Sequence, residues 1–137
     1  MIARASTLIV CDQFTSGAKL LVLKRDGKAR LFPNTLDLIG GVARAHERPI
    51  DSAVRELAEE TGLIVQRQYI RYLFTKRGPG FLDHIFLYSC RIQLSTLHIG
   101  EGSDLLLLPL HQLLTTRMAF DHQRTLAYTF RTRRPLR

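Results

Sequence analysis

The stretch from Gly41 to Leu63, GVARAHERPIDSAVRELAEETGL, carries signals for both ends of a helix and two chemically opposed faces between them. Pro49 has a preset φ that suits a first helical turn, and Asp51 can offer its carboxylate to the free amide hydrogens at the positive end of the helix dipole. Gly62 is placed to take the left-handed conformation that ends a helix. Ile50, Ala53, Val54 and Leu57 recur at three-to-four-residue spacing and form an apolar stripe. Glu56, Glu59 and Glu60 stand three and four apart on another face. One face must pack, and the other must carry acid.

Carboxylates held that close repel one another as bare anions, at a cost that grows as water is excluded. The arrangement therefore calls for a cation. A cluster of oxygen ligands suits a hard divalent ion, and Mg²⁺ keeps several waters and bridges to substrate phosphates instead of filling a protein cage. Mn²⁺ is the natural substitute. Such an ion can neutralise a diphosphate and activate a bound water for attack on phosphorus. The ordinary alternative is a solvated helix face laced with Lys or Arg pairs.

Residues on either side of the helix decide between these readings. Gly41, five residues, Glu47, seven residues, then Arg55-Glu56-Leu57-x-Glu59-Glu60-x-Gly62-Leu63 fill every fixed position of the Nudix box. The chain resembles a Nudix hydrolase. That resemblance implies an α+β fold, a mixed β-sheet sandwiched between α-helices, over nearly the whole chain. It also implies divalent-ion ligands at Glu56, Glu59 and Glu60, with the carbonyl of Gly40 as a further ligand. Arg55 would fix a box glutamate in orientation, and Glu47 would support the site from the loop. Catalysis would rest on Glu59, Glu60 and Arg55, with a later acid as base or ligand. Asp104 is the better candidate for that acid and Glu101 the reserve, the alternative being a surface loop acid.

The chain also departs from the family pattern. Val42-Ala43-Arg44-Ala45-His46 replaces the usual small or acidic residues of the box loop, and Arg44 could bind a substrate phosphate or pair with a carboxylate. Ile39 and Leu38 stand where a proline and an aromatic are common, and Leu107 where a tryptophan is frequent. Gly78-Pro79-Gly80-Phe81-Leu82-Asp83 resembles a loop of the ADP-ribose and nucleotide-sugar branch, but the same residues also suit a plain hairpin turn. Arg25, Phe32, Phe74 and Phe81 are the residues expected to stack on a base or contact phosphate.

At 137 residues the chain fits one domain with a substantial core, and no apolar run approaches the length of a membrane span. The opening MIARASTLIVCDQ lacks a signal-peptide layout and reads as a first strand, so a cytoplasmic protein is expected. Cys11 and Cys90 lie in separate apolar segments, which points to free thiols and not to zinc or a disulfide. The net charge is +8, and the chain closes on RTRRPLR. Such a balance favours polyanions, either phosphorylated small molecules or RNA, while residues 131–137 read as a flexible basic tail.

Strands are expected at Thr7–Cys11, Leu20–Leu23, Leu36–Ile39 and Leu105–Leu108, with a turn through Thr15-Ser16-Gly17. A hairpin joins Tyr69–Thr75 to His84–Ile92. Leu110–Leu114 is read as a helical turn and Asp121–Phe130 as a terminal helix. The expected activity is Mg²⁺-dependent cleavage of the pyrophosphate linkage in a nucleoside diphosphate derivative, with a nucleoside triphosphate preferred. ADP-ribose or a nucleotide sugar is the first alternative, and a non-catalytic nucleotide- or RNA-binding module the second. The oligomeric state is left open.

Overall fold

Apolar residues alternate in direction along the first strand, β1 (Ala3–Asp12), and this alternation divides the interior into two cores. Leu8 and Val10 face one way and Ile9 and Cys11 the other. The computed structural model describes residues 2–12, 17–98 and 103–132. After β1 come β2 (Lys19–Arg25), β3 (Leu36–Asp37), β4 (Ile39–Val42), α1 (Pro49–Thr61), β5 (Arg71–Gly78) and β6 (Phe81–Ser89), then β7 (Ser103–Pro109), α2 (Leu110–Leu113) and α3 (His122–Thr132). The strands form a mixed, seven-stranded sheet with helices on both faces, as expected.

β1 organises that sheet. Along one edge it pairs in parallel with β6 from Ala3 to Cys11. Its other edge is shared: Ala5–Leu8 pair with β4, and Val10–Asp12 pair with β2. β2 continues the sheet to β3 and β7, and β6 continues it to β5. The division of one edge between β2 and β4 brings the Gly40-Gly41 pair beside the N-terminal half of β1.

α1 covers the first core with Ala53 and Leu57, both fully buried, and with Ile50 and Val54 beside them. Pro49 opens the helix, and Gly62 closes it at φ 82°, its N–H on the Ala58 carbonyl at 2.9 Å. Asp51 makes no cap bond; its carboxylate accepts from Arg48 Nε at 3.0 Å and from Arg67 Nη1 at 3.2 Å. The second core, on the opposite face, buries Leu20, Val22, Leu38, Ile85, Leu113, Met118 and Leu126 of α3.

Several expected boundaries move. The Leu36–Ile39 strand divides into β3 and β4, because its two halves pair with different partners. Past a register shift between Tyr72 and Phe74, β5 and β6 pair down to Gly78 and Phe81, so Pro79-Gly80 is a tight hairpin turn and not a long loop. α3 extends to Thr132, so residues 131 and 132 of the expected tail are helical. Residues 133–137, Glu101 and the turn residues Thr15 and Ser16 lie outside the described residues. Cys11 is buried and Cys90 half-buried, both as free thiols that burial pushes up to about 11. Among the described residues no helix is long and apolar enough to cross a membrane.

Candidate active site

The outward face of α1 is organised around one guanidinium. Arg55 donates through Nε and Nη2 to the two oxygens of Glu47, at 2.8 and 2.9 Å, a bidentate pair. Its Nη1 reaches Glu56 at 2.9 Å and Glu59 at 3.2 Å, and its Nη2 also reaches the Val42 carbonyl at 3.3 Å. The side chain is 17% exposed, so these contacts are partly shielded. The Arg55 hydrogen bonds hold the Glu47 carboxyl down at about 2, and the backbone N–H of Arg44 on Glu47 acts in the same direction. The loop is thereby tied to the helix through one arginine.

Glu56 lies against the backbone of β4. A Cβ placed on Gly41 would come within 2.5 Å of Glu56 Oε1, so glycine leaves the space that this carboxylate fills. Burial raises the Glu56 carboxyl, against the pull of Arg55. Glu60 differs from the other three. It accepts the Gly40 N–H at 2.9 Å, and no cationic side chain contacts it among the described residues. Burial pushes its carboxyl up to about 8, with Glu56, Asp37 and Glu59 adding repulsion. Glu59 is more exposed and is shared between Arg55 and Arg44 Nη2, the latter at 3.3 Å.

The donor set can thus be tested for fit to a divalent ion. Arg55 pairs with Glu47, Glu56 and Glu59, while Glu60 is a half-buried carboxylate that no cationic side chain contacts among the described residues and that is costly in its charged form. The arrangement fits a hard cation beside Glu60. Among the described residues no three Asp, Glu, His or Cys side chains are gathered to hold an ion unaided. An ion of the Mg²⁺ type suits such a site, since it keeps water and phosphate in its shell.

Gly40 and Gly41 also border a cavity of about 350 Å³ that extends towards the α3 side. Its floor carries Thr7 of β1, whose hydroxyl donates to Asp83 of β6 and lies 2.9 Å from both carboxylate oxygens. Burial raises the Asp83 carboxyl against that bond. At the side, Arg25 Nη1 donates to Asp37 Oδ2 at 2.9 Å, and Asp37 Oδ1 lies 3.3 Å from His122 Nε2. Lys76 donates to Thr125 Oγ1 at 2.8 Å. Phe120 lines the cavity, packs edge-on against Phe32 at 4.9 Å, and lies 5.4 Å from the Arg25 guanidinium.

The residues expected to contact substrate divide three ways. Arg25 and Phe81 line the cavity, and Phe32 buttresses Phe120. Arg44 is on the acidic face beside Glu59. Phe74 packs into the second core and edge-on against Tyr128 at 4.8 Å, so its ring is committed to the interior and not to a base. Asp104 is exposed at the start of β7, opposite Lys24 in the strand register. Asp37, Phe120 and His122 were not anticipated, and Asp83 was singled out only as the last residue of the Gly78–Asp83 segment. Only tertiary pairing brings the four together.

A family model for the NUDIX domain matches residues 1–129. The chain belongs to the NUDIX domain family, and its intact box supports a Nudix-type pyrophosphohydrolase. The fold is similar to that of the NUDIX domain of Shewanella oneidensis NrtR, cocrystallised with ADP-ribose. That match has 20% identity and a TM-score of 0.80, covering 96% of this chain and 88% of that one. It is also similar to a MutT structure from work on Aliivibrio salmonicida and Vibrio cholerae, at 17% identity and TM-score 0.78, with 97% and 100% covered. A MutT/nudix family protein from Enterococcus faecalis matches at 19% identity and TM-score 0.78 over 96% of this chain. The chain spans 62% of that protein's length. No curated protein matches the sequence.

Proposed function

We propose that this protein is a cytoplasmic, divalent-metal-dependent hydrolase that cleaves the pyrophosphate linkage of a nucleoside triphosphate, with Mg²⁺ as the ion and Mn²⁺ as substitute. The observation that carries the reading is the position of Gly40 and Gly41. They touch the half-buried carboxylates Glu60 and Glu56 on one side and border the cavity on the other. A nucleotide whose base occupies the cavity can therefore lay its phosphates against the acidic face.

The roles divide accordingly. Glu56, Glu59, Glu60 and the carbonyl of Gly40 would hold the ion, which when bound neutralises phosphate charge and makes water a better nucleophile. Arg55 fixes Glu56 and Glu59 in place, and Glu47 fixes Arg55. Arg44, exposed beside Glu59, is positioned to meet a phosphate oxygen. Asp104 is proposed as the further acid; Asp104→Asn should then lower kcat more than about tenfold, within the range of general-base contributions. A loss below about threefold would return the base to the box glutamates. The net charge of +8 favours approach of a polyanion.

ADP-ribose is the second reading, favoured by the cocrystallised ligand of the similar NrtR domain. A hydrolysis screen over nucleoside triphosphates, ADP-ribose and nucleotide sugars, with Mg²⁺ and with Mn²⁺, tests both. Metal-dependent release of a nucleoside monophosphate from a triphosphate is the expected result. Turnover of ADP-ribose without any triphosphate would reverse the preference, and no turnover of any member would overturn the enzyme assignment.

A further inference from the structure

β5 and β7 border the sheet on opposite sides, and among the described residues each is paired along one edge only. An open edge presents unpaired N–H and C=O groups and invites another strand. β5 is guarded against that: its register shifts between Tyr72 and Phe74, and it carries Arg71, Lys76 and Arg77. β7 has no such guard along its middle. It pairs with β2 from Ser103 to Pro109 without a shift, and Leu105 to Leu108 carry no charge.

Which backbone groups β7 leaves open follows from one hydrogen bond. The Leu110 N–H donates to the Ala18 carbonyl at 3.0 Å, one residue beyond the Lys19–Pro109 pair and in the same register. In an antiparallel ladder, hydrogen-bonded and non-bonded pairs alternate. Leu108, Leu106 and Asp104 therefore bond to β2, whereas Leu107, Leu105 and Ser103 turn their N–H and C=O groups to the open edge. Pro109 agrees with that parity, because a residue without an N–H is tolerated where the N–H would face outward. The leucine side chains are already committed: Leu105 and Leu107 pack on the first core, Leu106 and Leu108 on the second. What this edge offers is backbone.

We propose that β7 is a dimer interface, pairing antiparallel with β7 of a second copy of this chain about a two-fold axis at Leu106. The outward groups are symmetric about that residue. The N–H and C=O of Leu105 exchange hydrogen bonds with those of the partner's Leu107, and the axis repeats the exchange. Ser103 N–H reaches the partner's Pro109 carbonyl, so the missing N–H of Pro109 falls at the margin of the ladder. Leu106 and Leu108 are half-buried in the single chain, and Leu106 meets its own copy at the axis, which adds apolar burial. Asp104 stands beside the partner's Leu108, about 13 Å along the ladder from the partner's Asp104 and beyond a Debye length, so the two carboxylates do not oppose the pairing. A second copy suits this edge because Ser103–Pro109 presents open groups at the same spacing from either end, with uncharged leucines on both sides of the axis.

Sedimentation and amide exchange on the full chain test this. The mass in solution should rise from one chain towards two between about 1 µM and about 1 mM, the range in which contacts of modest size associate. Over the same range the Leu105 and Leu107 amides, open in the single chain, should slow their hydrogen exchange at least about tenfold, while those of Leu106 and Leu108 stay protected throughout. Leu107→Pro removes an outward N–H and no bond to β2, and should weaken association at least about tenfold. Should that variant fail to fold, the exchange pattern of the unaltered protein decides alone. The proposal is overturned if the mass stays that of one chain at about 1 mM. It is equally overturned if a two-chain species leaves exchange at Leu105 and Leu107 unchanged, or if folded Leu107→Pro associates as tightly as the unaltered chain. Neither readout involves nucleotide hydrolysis, so this inference stands or falls apart from the proposed function.

Discussion

The acidic face of α1 and the cavity on the α3 side are built in opposite ways. Arg55, Glu56, Glu59 and Glu60 come from two turns of a single helix, and the loop residue Glu47 joins them through Arg55. Thr7, Arg25, Asp37, Asp83, Phe120 and His122 come from β1, β2, β3, β6 and the chain before and at the start of α3. Chemistry concentrated in a helix requires only local spacing. A cavity lined from five segments requires the sheet to be in register first. The two regions meet at Gly40 and Gly41, which explains why a short strand, β4, belongs at that point of the fold.

Glu60→Gln should separate the regions most strongly. It removes the carboxylate that lacks a cationic partner and should lower kcat by about a thousandfold, about 4 kcal/mol of barrier, while Kd for a nucleoside monophosphate stays within about twofold. Steady-state kinetics and calorimetry on the same preparation check both parts. Turnover above about a tenth of the unaltered protein, with an unchanged melting temperature, would remove Glu60 from the ligand set.

Phe120→Ala should give the converse result at smaller magnitude. Loss of a stacking ring should raise KM about tenfold, in line with about 1–3 kcal/mol per stacked base, and leave kcat within about threefold. If kcat falls instead and KM is unchanged, Phe120 serves the chemistry and the division between the two regions fails.

How much of each region was legible in the sequence follows from the same contrast. Helical periodicity placed Glu56, Glu59 and Glu60 on one face and Leu57 on the other, and Pro49 and Gly62 marked the ends that the structure shows. The sheet's composition was legible from its apolar segments, but its order was not, since β1 takes three partners and shares one edge between two of them. His122 follows an aspartate and opens an amphipathic helix, and nothing in that context marks it as a cavity residue. Asp37, in the segment before the glycine pair, is ordinary until β3 pairs with β2 and brings it to Arg25. Phe74 shows the opposite error: an aromatic expected at the substrate that the second core claims.

The smallest predicted effect is on the pH dependence of the metal-free protein. Burial raises the Glu60 carboxyl to about 8, so between the usual carboxylate range and pH 8 the folded state binds more protons than the unfolded state. Stability must then fall as pH rises through that window. The melting temperature of chelator-treated protein should drop by a few degrees between about pH 5 and pH 8, and Glu60→Gln should flatten that slope. A rise over the same window would mean that another group dominates. Mutations in the cavity rim, such as Phe120→Ala, should leave the slope unchanged.

Paramagnetic broadening by Mn²⁺ tests the central claim most directly, because it reports where the ion sits relative to both regions. In ¹⁵N-labelled protein, substoichiometric Mn²⁺ should broaden first the amide signals of Gly40, Gly41 and the segment Glu56 to Glu60. In the presence of a nucleoside monophosphate it should also broaden the ligand's signals, those near the phosphate more than those of the base. Glu60→Gln should remove the broadening. Broadening that spares Gly40 and Gly41, or that persists unchanged in Glu60→Gln, would contradict the account.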